Sequence, residues 1–180
     1  MDSNFVGFGK IPRMTREVVV TEKLDGTNAQ VYIGEDGETM LVGSRKRWIT
    51  PEDDNYGFAR WCEENKEELL KLGPGRHFGE WWGQSIQRKY GLKEKRFSLF
   101  NSCRWLLEEP PSCCHVVPIL WRGPFRTNVI DEVLSTLKVL GSKAAPGFMN
   151  PEGIIIYHTA GNFYMKKTIE KDEVPKGIRV

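Results

Sequence analysis

Apolar and polar positions alternate with a period of two in several short runs. Val18–Thr21, Ala29–Ile33 and Thr39–Val42 read as strands, and Gly34-Glu35-Asp36-Gly37 joins the last two as a hairpin. After Thr50 the period lengthens. Thr50-Pro51-Glu52-Asp53 has the hydroxyl, proline and acids of a helix start. Phe58, Trp61, Cys62, Leu69 and Leu72 then keep one helical face until Gly73-Pro74-Gly75. Arg76–Trp82, Arg96–Asn101 and Cys114–Val117 read as further strands. Trp81 and Trp82 are expected to divide, one in the core and one near the surface. Ile86–Arg96 and Trp121–Phe125 read as loops. A second helix is expected from Asn128 to Leu140, with Ile130, Val133, Leu134 and Leu137 buried. Gly153–His158 and Phe163–Thr168 are the last two strands, and residues 1–16 form an arm packed on the body. The pattern predicts an antiparallel-sheet-rich α+β fold.

Composition narrows this picture without redirecting it. The 180 residues suggest one domain, and 39% hydrophobic and 28% charged content suit a soluble globular chain. A net charge of +2 is too mild to argue for nucleic acid by itself. Clusters must carry that argument, and two exist: Ser44-Arg45-Lys46-Arg47-Trp48, and five cations between Arg88 and Arg96. No secretory signal or membrane-length apolar run is evident, and the expectation is a cytoplasmic or otherwise intracellular protein. Cys62, Cys103, Cys113 and Cys114 contain no CxxC spacing and read as reduced thiols. Cys113-Cys114-His115 lacks the ligand separation usual at zinc and reads as a loop entering a strand.

The chemistry begins at Glu22-Lys23-Leu24-Asp25-Gly26-Thr27-Asn28, between two strands. Lysine becomes a good nucleophile where its environment favours the neutral amine. Gly26 would let the backbone turn tightly and approach a ligand. An alanine at this exposed strand end is expected to cost little stability. Glu80 amid Phe78, Trp81 and Trp82, Glu152 before Ile154-Ile155-Ile156, and Lys166 in the last strand are further charges where strands should be buried. Buried charges are costly unless paired or bound to metal, so the set suggests one converging site. Nucleotidyl transfer to lysine requires such a set: a nucleophile, cations on phosphate, and carboxylates for a divalent ion.

The order of these segments resembles the covalent nucleotidyltransferase superfamily of ligases and capping enzymes. Lys23-Leu24-Asp25-Gly26 looks like motif I, with Thr27-Asn28 resembling the RNA ligase 2 branch. Ser44–Arg47 resembles the basic segment after motif I. Phe78-Gly79-Glu80 resembles motif III, Arg96–Asn101 motif IIIa, Glu152–Ile155 motif IV, and Met165–Thr168 motif V. The resemblance implies a single adenylyltransferase domain over residues 1–180, with no evident C-terminal domain. It implies an ATP-dependent ligase for RNA, as a nicked duplex or as single-stranded ends, rather than DNA, using Mg²⁺ or Mn²⁺, a lysyl-AMP intermediate and an adenylylated 5′ end. The implied nucleotide site comprises Glu22, Lys23, Asp25, Gly26, Asn28, Arg45, Phe78, Glu80, Glu152 and Lys166. Within it, Lys23 would be the nucleophile, Glu22 would meet the adenine amino group, and Phe78 would stack on the base. Arg45 would touch sugar or phosphate, with Arg47 the weaker candidate. Asp25, Glu80 and Glu152 would arrange the metal and its waters. Lys166 would bind the α-phosphate and favour the neutral form of Lys23. Family motif V often carries lysines two apart, whereas here Lys166 and Lys167 are adjacent; strand alternation lets only one point inward. Three alternatives remain at this point. They are a DNA ligase adenylation domain, a GTP-using capping enzyme, and a non-catalytic nucleic-acid-binding module.

Overall fold

Two sheets are joined at the turn after Lys23 in the computed structural model, which describes residues 6–173. The strands are β1 Glu17–Lys23, β2 Thr27–Ile33, β3 Met40–Ser44, β4 Gly75–Gly83, β5 Lys95–Leu99, β6 Cys114–Val116, β7 Ile119–Pro124, β8 Gly153–His158 and β9 Phe163–Thr168. The first sheet has the order β7-β1-β8-β9, and the second β3-β2-β4-β5-β6. Every pairing between these strands is antiparallel except β5 with β6. Consecutive β1 and β2 therefore belong to different sheets, and residues 24–26 are the crossover between them.

Alternation assigns each sheet face. On the first sheet Val18, Val20, Ile154 and Ile156 pack under α3, Thr127–Leu140, through its Ile130 and Leu137. On the second sheet Ala29, Val31, Ile33, Trp81, Phe97 and Leu99 pack against α1, Phe58–Glu64, and α2, Lys66–Leu70. Truncating a fully buried aromatic such as Phe97 would cost about 3–5 kcal/mol. A third cluster around Leu24, Trp82 and Tyr90 fills the region beside the crossover.

Several expectations change. The anticipated helix from Pro51 starts only at Phe58, because Tyr56 and Gly57 adopt φ of 54° and 81°. Asp54 Oδ1, rather than the Thr50 hydroxyl, accepts the helix amide of Ala59 at 2.8 Å, and Asn65 separates α1 from α2. Trp121–Phe125 is no loop: β7 pairs with β1 along the sheet edge, where proline and glycine are tolerated. Both tryptophans are buried. Trp81 faces the helices and Trp82 faces the third cluster, its indole donating to Ser98 Oγ at 2.8 Å. Residues 6–16 do not pack on the body as an arm; Val6, Phe8 and Ile11 are exposed. Residues 1–5 of that expected arm lie outside the described region. No helix among the described residues is long and apolar enough to cross a membrane.

Candidate nucleotidyl-transfer site

Lys23 is the last residue of β1, where the chain leaves one sheet for the other. Its Nζ donates to Glu152 Oε2 at 2.5 Å. The pair is mostly enclosed, with 17% and 9% of the two side chains exposed. Lys23 is therefore not the exposed strand end anticipated from the sequence. Removing it would leave the Glu152 carboxylate buried without its partner.

Glu80 completes the centre from the other sheet. Its Oε1 accepts from the Gly26 amide at 3.0 Å and its Oε2 from Asn28 Nδ2 at 2.9 Å. Burial pushes its carboxyl up to about 7; the Lys23 charge and the Gly26 amide pull the other way, and Glu152 adds to the rise. Gly26 and Asn28 thus hold a carboxylate. Gly26 is required by close packing: a Cβ there would stand 2.4 Å from the Trp81 carbonyl oxygen. Close packing against β4 thus accounts for a glycine at this turn.

The final strand separates the two adjacent lysines. Lys166 pairs with Ile155, which pairs with Thr21, two residues from Lys23 on the same face. Lys167 pairs with Ile154 on the α3 face and reaches Asp131 Oδ1 at 2.6 Å. Lys166 accordingly shares the face of Lys23, and Lys167 is engaged elsewhere.

The sequence profile of the RNA ligase family matches residues 16–171. The chain belongs to the RNA ligase family. Solved structures of Naegleria gruberi RNA ligase share its fold. One variant with ATP and Mn superposes with a TM-score of 0.63 at 23% identity, covering 87% of this chain and 51% of that one. A variant with AMP and Mn gives a TM-score of 0.63 at 23% identity, with 86% and 50% covered. An apo variant gives 0.62 at 24%, with the same coverage. The chain thus spans about half the length of these matched proteins. No curated protein matches the sequence.

The remaining RNA ligase positions differ in how directly they face the centre. Glu22 alternates to the opposite face from Lys23 and is 1% exposed. Its Oε2 accepts from the amides of Lys143 and Ala144 at 2.8 and 2.9 Å, while Oε1 is buried without a hydrogen-bond partner among the described residues. Burial raises its pKa against the pull of the nearby Ser142 hydroxyl and of those amides. Phe78 is 52% exposed on the Glu80 face, so it is not a core residue. Arg45 is exposed just past β3 and makes no side-chain hydrogen bond or ion pair among the described residues. Arg47 is held by Asp53.

Asp25 points to a residue that sequence reasoning placed in an exposed loop. Arg88 Nε donates to Asp25 Oδ2 at 3.0 Å, and its Nη1 donates to the Asn150 side chain at 2.9 Å and carbonyl at 3.1 Å. It therefore ties the turn after Lys23 to the segment just before Glu152. The buried Tyr90 hydroxyl accepts the Asp25 amide at 2.8 Å. Lys95 bonds the Tyr56 carbonyl and Arg96 pairs with Glu94, so three of the five cations from Arg88 to Arg96 are engaged, while Lys89 and Lys93 are exposed. Phe100 was also missed. The β4–β5 register places it beside Phe78, whose carbonyl accepts its amide at 2.9 Å, and it is 37% exposed. Two-residue alternation from Ser98, opposite Glu80, is the signal that finds it.

Asp25, Glu80 and Glu152 do not form a ready-made cage: among the described residues, no group of three His, Cys, Asp or Glu side chains is placed to hold an ion. Glu80 and Glu152 flank Lys23, and Asp25 is turned to Arg88. This donor chemistry still fits Mg²⁺ or Mn²⁺, because magnesium keeps several waters and binds through one or two carboxylates with substrate phosphates. Among the cysteines, Cys113 and Cys114 have sulfurs 3.9 Å apart, and all four described thiols are free.

Proposed function

We propose that this chain is the ATP-dependent adenylyltransferase domain of an RNA ligase. The observation that carries the reading is Lys23 at the sheet crossover, bonded to Glu152, beside Glu80, and on the face that also presents Lys166. Lysine attacks only as the neutral amine, and Glu152 is placed to accept a proton from Nζ. A P–N bond forms between Nζ and the α-phosphorus of ATP, the bond to the bridging oxygen breaks, and pyrophosphate leaves. AMP then passes to an RNA 5′-phosphate, and a 3′-hydroxyl displaces it to join the ends.

The residues divide by task. Lys166, on the face of Lys23, and the exposed Arg45 stabilise phosphate charge. Phe78 offers the base an exposed face. Glu22 Oε1, which has no hydrogen-bond partner among the described residues, is an acceptor suited to the adenine amino group. Glu80 and Glu152, with Asp25 held by Arg88, would hold the divalent ion through its waters. That ion would neutralise charge on the phosphates. The family match favours RNA over DNA as the strand joined. Four free thiols support an intracellular setting.

The test is incubation with each labelled nucleoside triphosphate and Mg²⁺, followed by denaturing electrophoresis. Label retained from ATP alone is expected. Label from GTP would indicate capping chemistry, and no retained label would leave a binding module.

A further inference from the structure

Beyond Phe78, the Glu80 face of the second sheet continues into an aromatic and cationic surface that adenylylation does not use. Alternation along β2 and β4 carries Asn28, Gln30 and Tyr32, and Glu80, Phe78 and Arg76, on this one face. The Arg76 guanidinium lies 5.0 Å from the Tyr32 ring centre and 5.3 Å from that of Trp48, and its Nη1 donates to Gln30. Trp48 folds back over β3 by pairing with Gly43. Gly43 makes this possible: a Cβ there would stand 3.1 Å from both the indole and the Gln30 side chain. The indole nevertheless remains 44% exposed. A core role for Tyr32, Trp48 and Arg76 would enclose them, and they are not enclosed. Arg45 and Lys46 are exposed on the turn between β3 and Trp48, where they line a hollow with Thr27, Ser44, Arg47 and Asn55.

We infer that Tyr32, Trp48 and Arg76 form a stacking platform for an unpaired base of the RNA strand being joined, with Arg45 and Lys46, on the turn that leads to Trp48, free to meet phosphates further along that strand. This deepens the RNA ligase reading and rests on it. The chemistry selects the occupant. Aromatic rings and guanidinium planes accept any base by stacking, and neighbouring cations follow the polyanionic backbone. A duplex would hide the base faces this surface offers. The platform lies one strand alternation beyond Phe78, so a base seated here would adjoin a base stacked on Phe78.

The experiment compares the full chain with Trp48→Ala, Trp48→Phe and Arg76→Ala. The binding probe is a short single-stranded oligoribonucleotide, alongside an abasic strand of equal phosphate number and an RNA duplex of equal length. Lysyl-AMP formation from ATP is measured without RNA in parallel. Trp48→Ala and Arg76→Ala should each weaken single-strand binding roughly tenfold, the loss expected for one stacked base. Trp48→Phe should restore most of it, and lysyl-AMP formation should be unchanged. The alanine effects should shrink on the abasic strand, because charge contacts remain there. Unchanged single-strand binding, or equal losses on the abasic strand, would overturn the platform. So would tighter binding to the duplex than to the single strand, or losses in RNA binding and lysyl-AMP formation together. If the unaltered chain forms no lysyl-AMP yet shows base-dependent binding through Trp48, the ligase reading fails and the platform stands.

Discussion

Lys23 and Glu152, separated by 129 positions in the chain, meet in a 2.5 Å hydrogen bond between the ends of neighbouring strands. Their enclosure makes the pair structural as well as chemical. Lys23→Ala should abolish adenylylation and also destabilise the fold, since an uncompensated buried charge costs about 3–5 kcal/mol. Glu152→Gln alone should destabilise too, and the double variant should lose less than the sum of the two. Urea unfolding of the four proteins measures the coupling; additive losses would show that the pair is not formed in solution.

Lys166 and Lys167 should behave as residues of opposite faces. Lys166→Ala is expected to block lysyl-AMP formation with little change in stability. Lys167→Ala removes an exposed ion pair with Asp131, worth about 1 kcal/mol or less, and should still adenylylate. Single-turnover kinetics with circular dichroism distinguishes them. A dead Lys167→Ala beside an active Lys166→Ala would reverse the functional assignment of the two faces of β9.

Adjacent exposed aromatics offer the base two partners. Phe78→Ala and Phe100→Ala should each weaken ATP use, and the residue in face-to-face contact should lose on the order of 1–3 kcal/mol. Phe78→Tyr should retain most activity at subsaturating ATP. Equal rates for Phe78→Ala and Phe78→Tyr would remove Phe78 from the site.

Glu80 should make the metal-free protein sensitive to pH. Burial raises its carboxyl to about 7 from an ordinary 4.5, so the folded state holds this proton more tightly than the unfolded chain. The resulting stabilisation is complete below the unfolded pKa and is lost as pH rises through about 7, a change on the order of 3 kcal/mol. Unfolding in EDTA on both sides of that pH should show a steeper decline for the native sequence than for Glu80→Gln. Identical profiles would contradict the placement of Glu80.

Arg88 should act through Asp25. Arg88→Ala is expected to raise the Mg²⁺ concentration for half-maximal adenylylation about tenfold, as when a group orienting a metal-site carboxylate is lost. Arg88→Lys should not rescue it, because an ammonium lacks the planar fork that reaches both Asp25 and Asn150. An unchanged Mg²⁺ requirement in Arg88→Ala would leave Arg88 a purely structural tie.

Local pattern encodes part of this arrangement and tertiary context the rest. Strand alternation alone distinguishes the faces of Lys166 and Lys167, and the apolar spacing of α3 marks its buried side. Gly123 and Pro124, by contrast, punctuate β7 like a loop because an edge strand tolerates them. Trp82 is buried because Tyr90, from the loop just after β4, and the distant Val117 and Ala145 cover its face. Arg88 reads as one cation among five, and only the path of its loop brings it to Asp25. The enclosure of Lys23 likewise depends on Glu152, which no local pattern links to it.

The central claim is that Lys23 takes AMP from ATP. Intact-protein mass spectrometry after incubation with ATP and Mg²⁺, followed by peptide mapping, tests it most directly. The account predicts one AMP adduct per chain, located on Lys23 and discharged by adding 5′-phosphorylated RNA. An adduct on another residue, or none on the folded protein, would contradict it.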